Sequence, residues 1–138
     1  MDREQLQQLA ELRLLDAEAL IASGRWAAAY YLLGYAVECA LKASVARQFR
    51  EHEVPERKLV NSFYTHNLDE LLVISGLEKE FQNRGQQDAA FQDNWTTVKD
   101  WRESVRYDVS IEEQRARRML DAVANETSGI LTWLRTQS

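Results

Sequence analysis

The chain has 138 residues, one proline, five glycines and a single cysteine. This size and composition suit one domain of long helices and exclude a disulfide framework within the chain. Seventeen basic residues against 22 acidic ones leave a net charge of −5, so the field of the whole molecule repels a polyanion and any nucleic-acid contact needs a local patch.

From about Glu4 to Ala22 no residue breaks a helix. Leu9, Leu12, Leu15, Ala19 and Ala22 share one helical face, which Leu6, Leu14 and Ile21 broaden. Ser23-Gly24 then punctuates the chain, and a second, longer helix carries Trp26, Tyr30, Leu33, Val37, Ala40, Leu41, Ser44 and Val45 as its inner stripe. The link is short, so the two helices pack as an antiparallel hairpin. Cys39 sits in the apolar run and reads as a small buried hydrophobe. That run, Trp26 to Val37, falls short of the roughly 20 residues a membrane helix needs. The opening MDREQLQQLAEL lacks the basic and apolar regions of a secretory signal, so the expectation is a cytoplasmic protein with no membrane contact.

The second helix is expected to end near Glu51, because HEVPERK is polar and Pro55 has no N–H for a continuing helix. A loop of about 10 to 14 residues follows. Thr65 and Asn67 both offer start signals for a short helix over Leu68 to Ile74, with Glu70 in capping-box register and Ser75-Gly76 as its stop. Residues 77–92 predict partial helix with a break near Gly85. A helix through WTTVKDWRESVR comes next, ending near Tyr107-Asp108. Ser110 to Glu113 is a capping box opening a last helix, whose inner face is Ile111, Arg115, Met119, Ala122, Val123, Ile130 and Trp133. Residues 1–138 are thus expected to form a single all-α domain, an up-and-down bundle of four long helices plus a short one.

Inventory excludes several chemistries. His52 and His66 are far apart in sequence and Cys39 has no ligand at zinc spacing, so no metal or other cofactor is expected. No glycine-rich phosphate loop and no nucleophile elbow is present. His66, at the start of the short helix, suits a neutral imidazole that caps or packs. Glu38 pairs with Lys42 in i,i+4 register, either as a solvated edge pair or, facing inward, as the counter-ion that Arg102 requires.

The richest stretch is Trp95 to Asp108. At helical spacing Trp95, Val98, Arg102 and Val105 form an apolar stripe interrupted by a guanidinium, which is costly when buried unless paired. Arg102 and Arg106 would share a face and could hold a phosphate, and Glu103 is within reach of Arg106. Between Lys99 and Arg118, Lys99, Arg102, Arg106, Arg115, Arg117 and Arg118 face Asp100, Glu103, Asp108, Glu112 and Glu113, which is a weak basic patch. A symmetric dimer would double its arginines. Tyr31 and Tyr35, off the main stripe of the second helix, motivate that dimer.

Three stretches, GRWAAAYYLLGYAVECALKA, YTHNLDELL with the following SGL, and WRESVRYD leading into the last helix, resemble in this order a HEPN domain. That family of helical bundles is found in higher eukaryotes and prokaryotes and named for nucleotide binding. Many members are metal-independent ribonucleases whose signature is an arginine followed, after four to six residues, by a histidine, assembled across a homodimer. Arg102 matches that arginine; Tyr107 stands where the histidine belongs, and no histidine lies downstream of His66. A shifted register, matching Tyr107 to the tyrosine that follows the histidine in toxin members, puts Val105 at the histidine and Asp100 at the arginine, losing both groups. A phenol with an ordinary pKa of about 10 is a poor base near neutral pH.

The resemblance implies a homodimeric nucleotide- or RNA-binding module of a toxin–antitoxin or defence system. Arg102, Arg106, Tyr107, Asp108, Glu38 and Lys42 are then its ligand-binding residues, and an antitoxin or nucleotidyltransferase is its partner. One alternative is a ribonuclease toxin using Arg102 and Tyr107 as catalytic residues, with Tyr107 in the histidine's place. Another is a purely structural or interaction protein in which the arginines only pair with Glu38, Glu103 and Asp108.

Overall fold

A computed structural model describes residues 2–51, 60, 61 and 63–137. Among them every regular element is helical. In chain order these are α1 (Arg3–Ala22), α2 (Trp26–Glu51), α3 (Leu68–Ile74), α4 (Glu78–Gln87), α5 (Ala89–Lys99), a 3-10 helix (Glu103–Tyr107), α6 (Glu113–Ala124) and α7 (Ile130–Arg135). None of these helices is long and apolar enough to cross a membrane. His52, Pro55 and most of the expected loop before Thr65 lie outside the described residues.

The α1–α2 hairpin forms the frame. Asp2 caps α1 by accepting from the Gln5 N–H, and the Gln5 side chain accepts from Asp2 N, a reciprocal box that satisfies two free donors. Gly24, at φ +74, turns the chain, and Arg25 N donates back to Leu20 O at 2.8 Å. The buried face of α1 differs from the predicted one. Leu6, Ala10, Leu14, Ala17 and Ile21 point inward, whereas Leu12 and Leu15 are 45% and 62% exposed. Ala10 and Ala17, between larger residues, let α1 approach α2 closely.

α2 is the central strut. Tyr30, Leu33, Val37, Leu41, Ser44 and Val45 are buried as expected, with Trp26 and Ala40 only partly so. Burial continues around the helix through Ala29, Ala36, Glu38, Cys39 and Ala43, because α1, α3, α6, α7 and the 3-10 helix all pack against it.

The short helix α3 keeps its predicted limits. Asn67 Oδ1 accepts from Glu70 N, Thr65 Oγ1 accepts from Asn67 N and donates to Glu70, and Gly76 leaves at φ +78. The predicted break near Gly85 falls instead at Asp88. Gly85 lies inside α4, and Asp88 Oδ1 caps α5 through Ala90 N and Phe91 N. Asp88 also accepts from Ser128 Oγ at 2.7 Å and Arg84 at 3.1 Å. Phe81, Phe91, Trp95 and Trp133 cluster between α4, α5 and α7, Phe81 and Phe91 tilted to each other and the other pairs edge to face.

Two further expectations are corrected. The long helix expected through Arg106 stops at Lys99; Trp101 turns inward to full burial and Arg102 takes an extended conformation at φ −132 before the 3-10 helix. The last helix is two helices, split by a turn in which Asn125 Oδ1 accepts from Thr127 N and Ser128 N. Its predicted capping box does not form. Ser110 instead gives both its N–H and its hydroxyl to Asp108 Oδ1, and α6 begins at Glu113 with no side-chain cap. Ala116 replaces Arg115 on the inner face, while the exposed Arg115 lies over the Tyr30 ring at 4.6 Å.

Candidate functional site

The end of α5 determines how the arginines are presented. Trp101 is drawn into the core, its ring 5.9 Å from that of Tyr31, so the residue after it must face solvent. Arg102 is therefore exposed, contrary to the buried position expected of it. Its guanidinium donates to the carbonyls of Lys99 at 2.7 Å and Trp101 at 2.9 Å. The Lys99 carbonyl is the last of α5 and the Trp101 carbonyl lies just beyond its cap, so the cation also meets the negative end of the helix dipole.

Arg106 lies in the 3-10 helix, so the α-helical register that would put it on one face with Arg102 does not apply. It is tied locally: to Glu103 Oε1 at 2.7 Å, to the Tyr107 hydroxyl at 2.7 Å, and over the Tyr107 ring at 4.7 Å. Its pKa is raised, first by the Tyr107 hydroxyl, against some desolvation, then by the Glu103 carboxylate, with Tyr31 acting weakly in the same sense. Tyr107 is 73% exposed and Val109 93%. Asp108 has a lowered pKa because the Ser110 hydroxyl and N–H both donate to it.

Glu38 faces inward at 2% exposure, which excludes the solvated edge pair, but its partner is not Arg102. Its Oε2 lies 3.5 Å from Lys42 Nζ and its Oε1 2.8 Å from His66 Nδ1. Sequence reasoning reached the Lys42 contact through i,i+4 spacing. It missed the one to His66, because nothing local links α2 to a residue 28 positions away across the bundle.

The aromatic residues that motivated a dimer have partners inside the chain. Tyr31 stacks on Tyr35 at 6.2 Å and on Trp101. The Tyr35 phenol is pushed up to about 12, by burial first and then by the Cys39 thiol and the Glu38 carboxylate. Burial, and then the same carboxylate, push the Cys39 thiol up to about 11, so it stays protonated and unreactive near neutral pH. Among the described residues no three His, Cys, Asp or Glu side chains converge where they could hold a metal ion.

Set against known proteins, the chain matches no family model, no curated protein and no solved structure.

Proposed function

We propose that this protein is a homodimeric HEPN-type module that binds a nucleotide or RNA through phosphate contacts from Arg102 and Arg106, beside the ring of Tyr107. The observation that carries the reading is the exposure of Arg102 and Tyr107 on one short segment outside the core. A guanidinium whose position is secured by two carbonyls still has N–H groups to spare for an anion, since it carries five donors. An exposed phenol ring offers a base a surface to stack on. A toxin–antitoxin or defence setting, with an antitoxin or nucleotidyltransferase as partner, fits a small module of this kind and belongs to the same proposal.

The test is fluorescence anisotropy with a short labelled RNA and with a labelled nucleotide across a salt series. If Arg102 and Arg106 each neutralise one phosphate, the logarithm of affinity falls against the logarithm of salt with a slope of about −1.4 per protomer. Arg102→Ala then reduces the slope by about 0.7. If wild type binds neither probe and Arg102→Ala unfolds, the arginines are structural and the reading fails. Light scattering at micromolar concentration tests the dimer; a species of only 16.0 kDa refutes it.

A further inference from the structure

Small side chains leave a gap where α7 meets the α1–α2 hairpin. It is a half-enclosed cavity of about 160 Å³, bordered by Ala10 of α1, Ala40 and Ala43 of α2, and Leu131 and Leu134 of α7. All of these but Ala40 are buried. Protein interiors hold few voids larger than a water molecule, and an empty one forfeits packing contacts along its whole lining. A larger side chain at Ala40 would fill this one.

Ser44 also borders the cavity. It is 7% exposed, yet its hydroxyl makes no hydrogen bond among the described residues. A buried hydroxyl without a partner costs stability. Water relieves that cost poorly here, because an ordered water needs about two to four polar partners and the other buried side chains of the lining are alanine and leucine. The hydroxyl is thus free to donate to, or accept from, a group that a ligand brings.

At the mouth, the half-exposed Glu11 and Arg135 join α1 to α7. Arg135 Nε lies 3.0 Å from both carboxylate oxygens and Nη2 lies 2.8 Å from Oε1. The pair cancels charge at the entrance, so the cavity draws in neither an anion nor a cation. Exposed pairs of this kind are weak enough to part and admit a molecule.

Size and lining together define the occupant. A closed apolar cavity of about 150 Å³ holds one benzene molecule. A nucleotide is far larger, and Ser44 lies ten residues along α2 from Gly34, against which Trp101 packs (44 − 34), a distance of about 15 Å. The cavity is therefore separate from the arginines. Its buried walls are apolar except at one hydroxyl, which suits a compact apolar body with a single polar group. We infer that this cavity is a binding site for a small neutral molecule of one ring bearing one hydrogen-bonding group. The ring rests on Leu131 and Leu134, and the polar group bonds the Ser44 hydroxyl. This site is independent of the phosphate-binding reading.

The experiment titrates the isotope-labelled full chain with phenol and, separately, with benzene, following methyl and amide NMR signals. Phenol should give saturable shifts at the Leu131 and Leu134 methyls and at the Ser44 amide. Ser44→Ala should weaken phenol about 3- to 10-fold, the loss of one net hydrogen bond, without weakening benzene. That variant removes an unpaired buried hydroxyl, so it should fold at least as well as wild type. Ala40→Leu, at a partly exposed position, should fill the cavity and abolish saturable binding of both probes. Shifts in wild type that do not saturate overturn the site. So does wild-type phenol affinity in a folded Ala40→Leu protein, which places the ligand elsewhere, or in Ser44→Ala, which leaves the hydroxyl without a role.

Discussion

The indole of Trp101 covers Gly34 on α2 so closely that a Cβ at position 34 would overlap the ring. This contact decides how the candidate site is presented. Trp101 is the largest fully buried side chain among the described residues, and sinking it against α2 ends α5 at Lys99 and turns Arg102 outward. The backbone N–H of Trp101 donates to Val98 O at 3.0 Å, so the chain closes one last turn before leaving the helix.

Gly34→Ala should therefore destabilise the protein although alanine is the better helix former. The propensity gain is about 1 kcal/mol, and forcing an aromatic ring off a well-packed surface costs about 1–3 kcal/mol. The net effect expected in urea unfolding is a lower midpoint. RNA affinity should fall with it, because the 3-10 helix is carried by the same indole. Unchanged stability with Trp101 still buried would refute this account.

Helix existence was legible in the sequence wherever capping chemistry and period agreed, as in α3, where Asn67 caps the start and Gly76 ends the helix as expected. The Glu70 carboxylate, however, accepts from Thr65 and the Asn67 N–H goes to Thr65 Oγ1, so the capping box is not closed. Where two apolar stripes shared one helix, period alone did not choose between them. On α1 the stripe through Leu12 and Leu15 and the stripe through Leu6, Leu14 and Ile21 are equally helical, and the small Ala10 and Ala17 decide for the second by permitting close approach. The end of α5 was illegible for a different reason. Trp101 lies off the stripe that placed Arg102 inside, and its burial depends on the gap left by Gly34, 67 residues earlier (101 − 34). His66 and Glu38 were each singled out, but their meeting is a tertiary fact.

Gly85 provides a second test of those corrections. It lies within α4, where a Cβ would meet mainly the end of the Gln92 side chain, a group free to swing away. Gly85→Ala should therefore stabilise the protein, by about 0.5–1 kcal/mol from the reduced entropy of the unfolded chain. Thermal unfolding gives the sign directly. A loss of stability would restore the predicted helix break at Gly85.

Asp88 ties the start of α5 to the α6–α7 turn, and its carboxyl is held below the ordinary carboxylate range. The Ser128 hydroxyl is the main cause; the Phe91 N–H, Arg84 and the Ala90 N–H act in the same sense against a desolvation penalty. Asp108 is lowered by the Ser110 hydroxyl and N–H. A folded pKa below the unfolded one means stability that is fully present above the unfolded value of about 3.9 and lost as pH falls through the folded value. Wild type should thus lose stability on acidification below about pH 4. Asp88→Asn should be less stable at neutral pH and show a shallower acid dependence, measured by urea midpoints across the range; an unchanged slope would mean that Asp88 does not carry it.

Leucines on the two faces of α1 should respond in opposite ways. Leu14, 6% exposed, faces α2, and Leu14→Ala removes packed methyl groups and leaves a cavity, at a cost of about 2–4 kcal/mol. Leu15, its neighbour in sequence, is 62% exposed, and Leu15→Ala should change stability by less than about 0.5 kcal/mol. The stripe read from periodicity ranks the two differently, with Leu15 on the main face and Leu14 at its edge. Urea denaturation of both variants at low protein concentration, where self-association does not contribute, separates these rankings. A large loss at Leu15 in a demonstrably monomeric sample would mean that α1 packs with the other face inward.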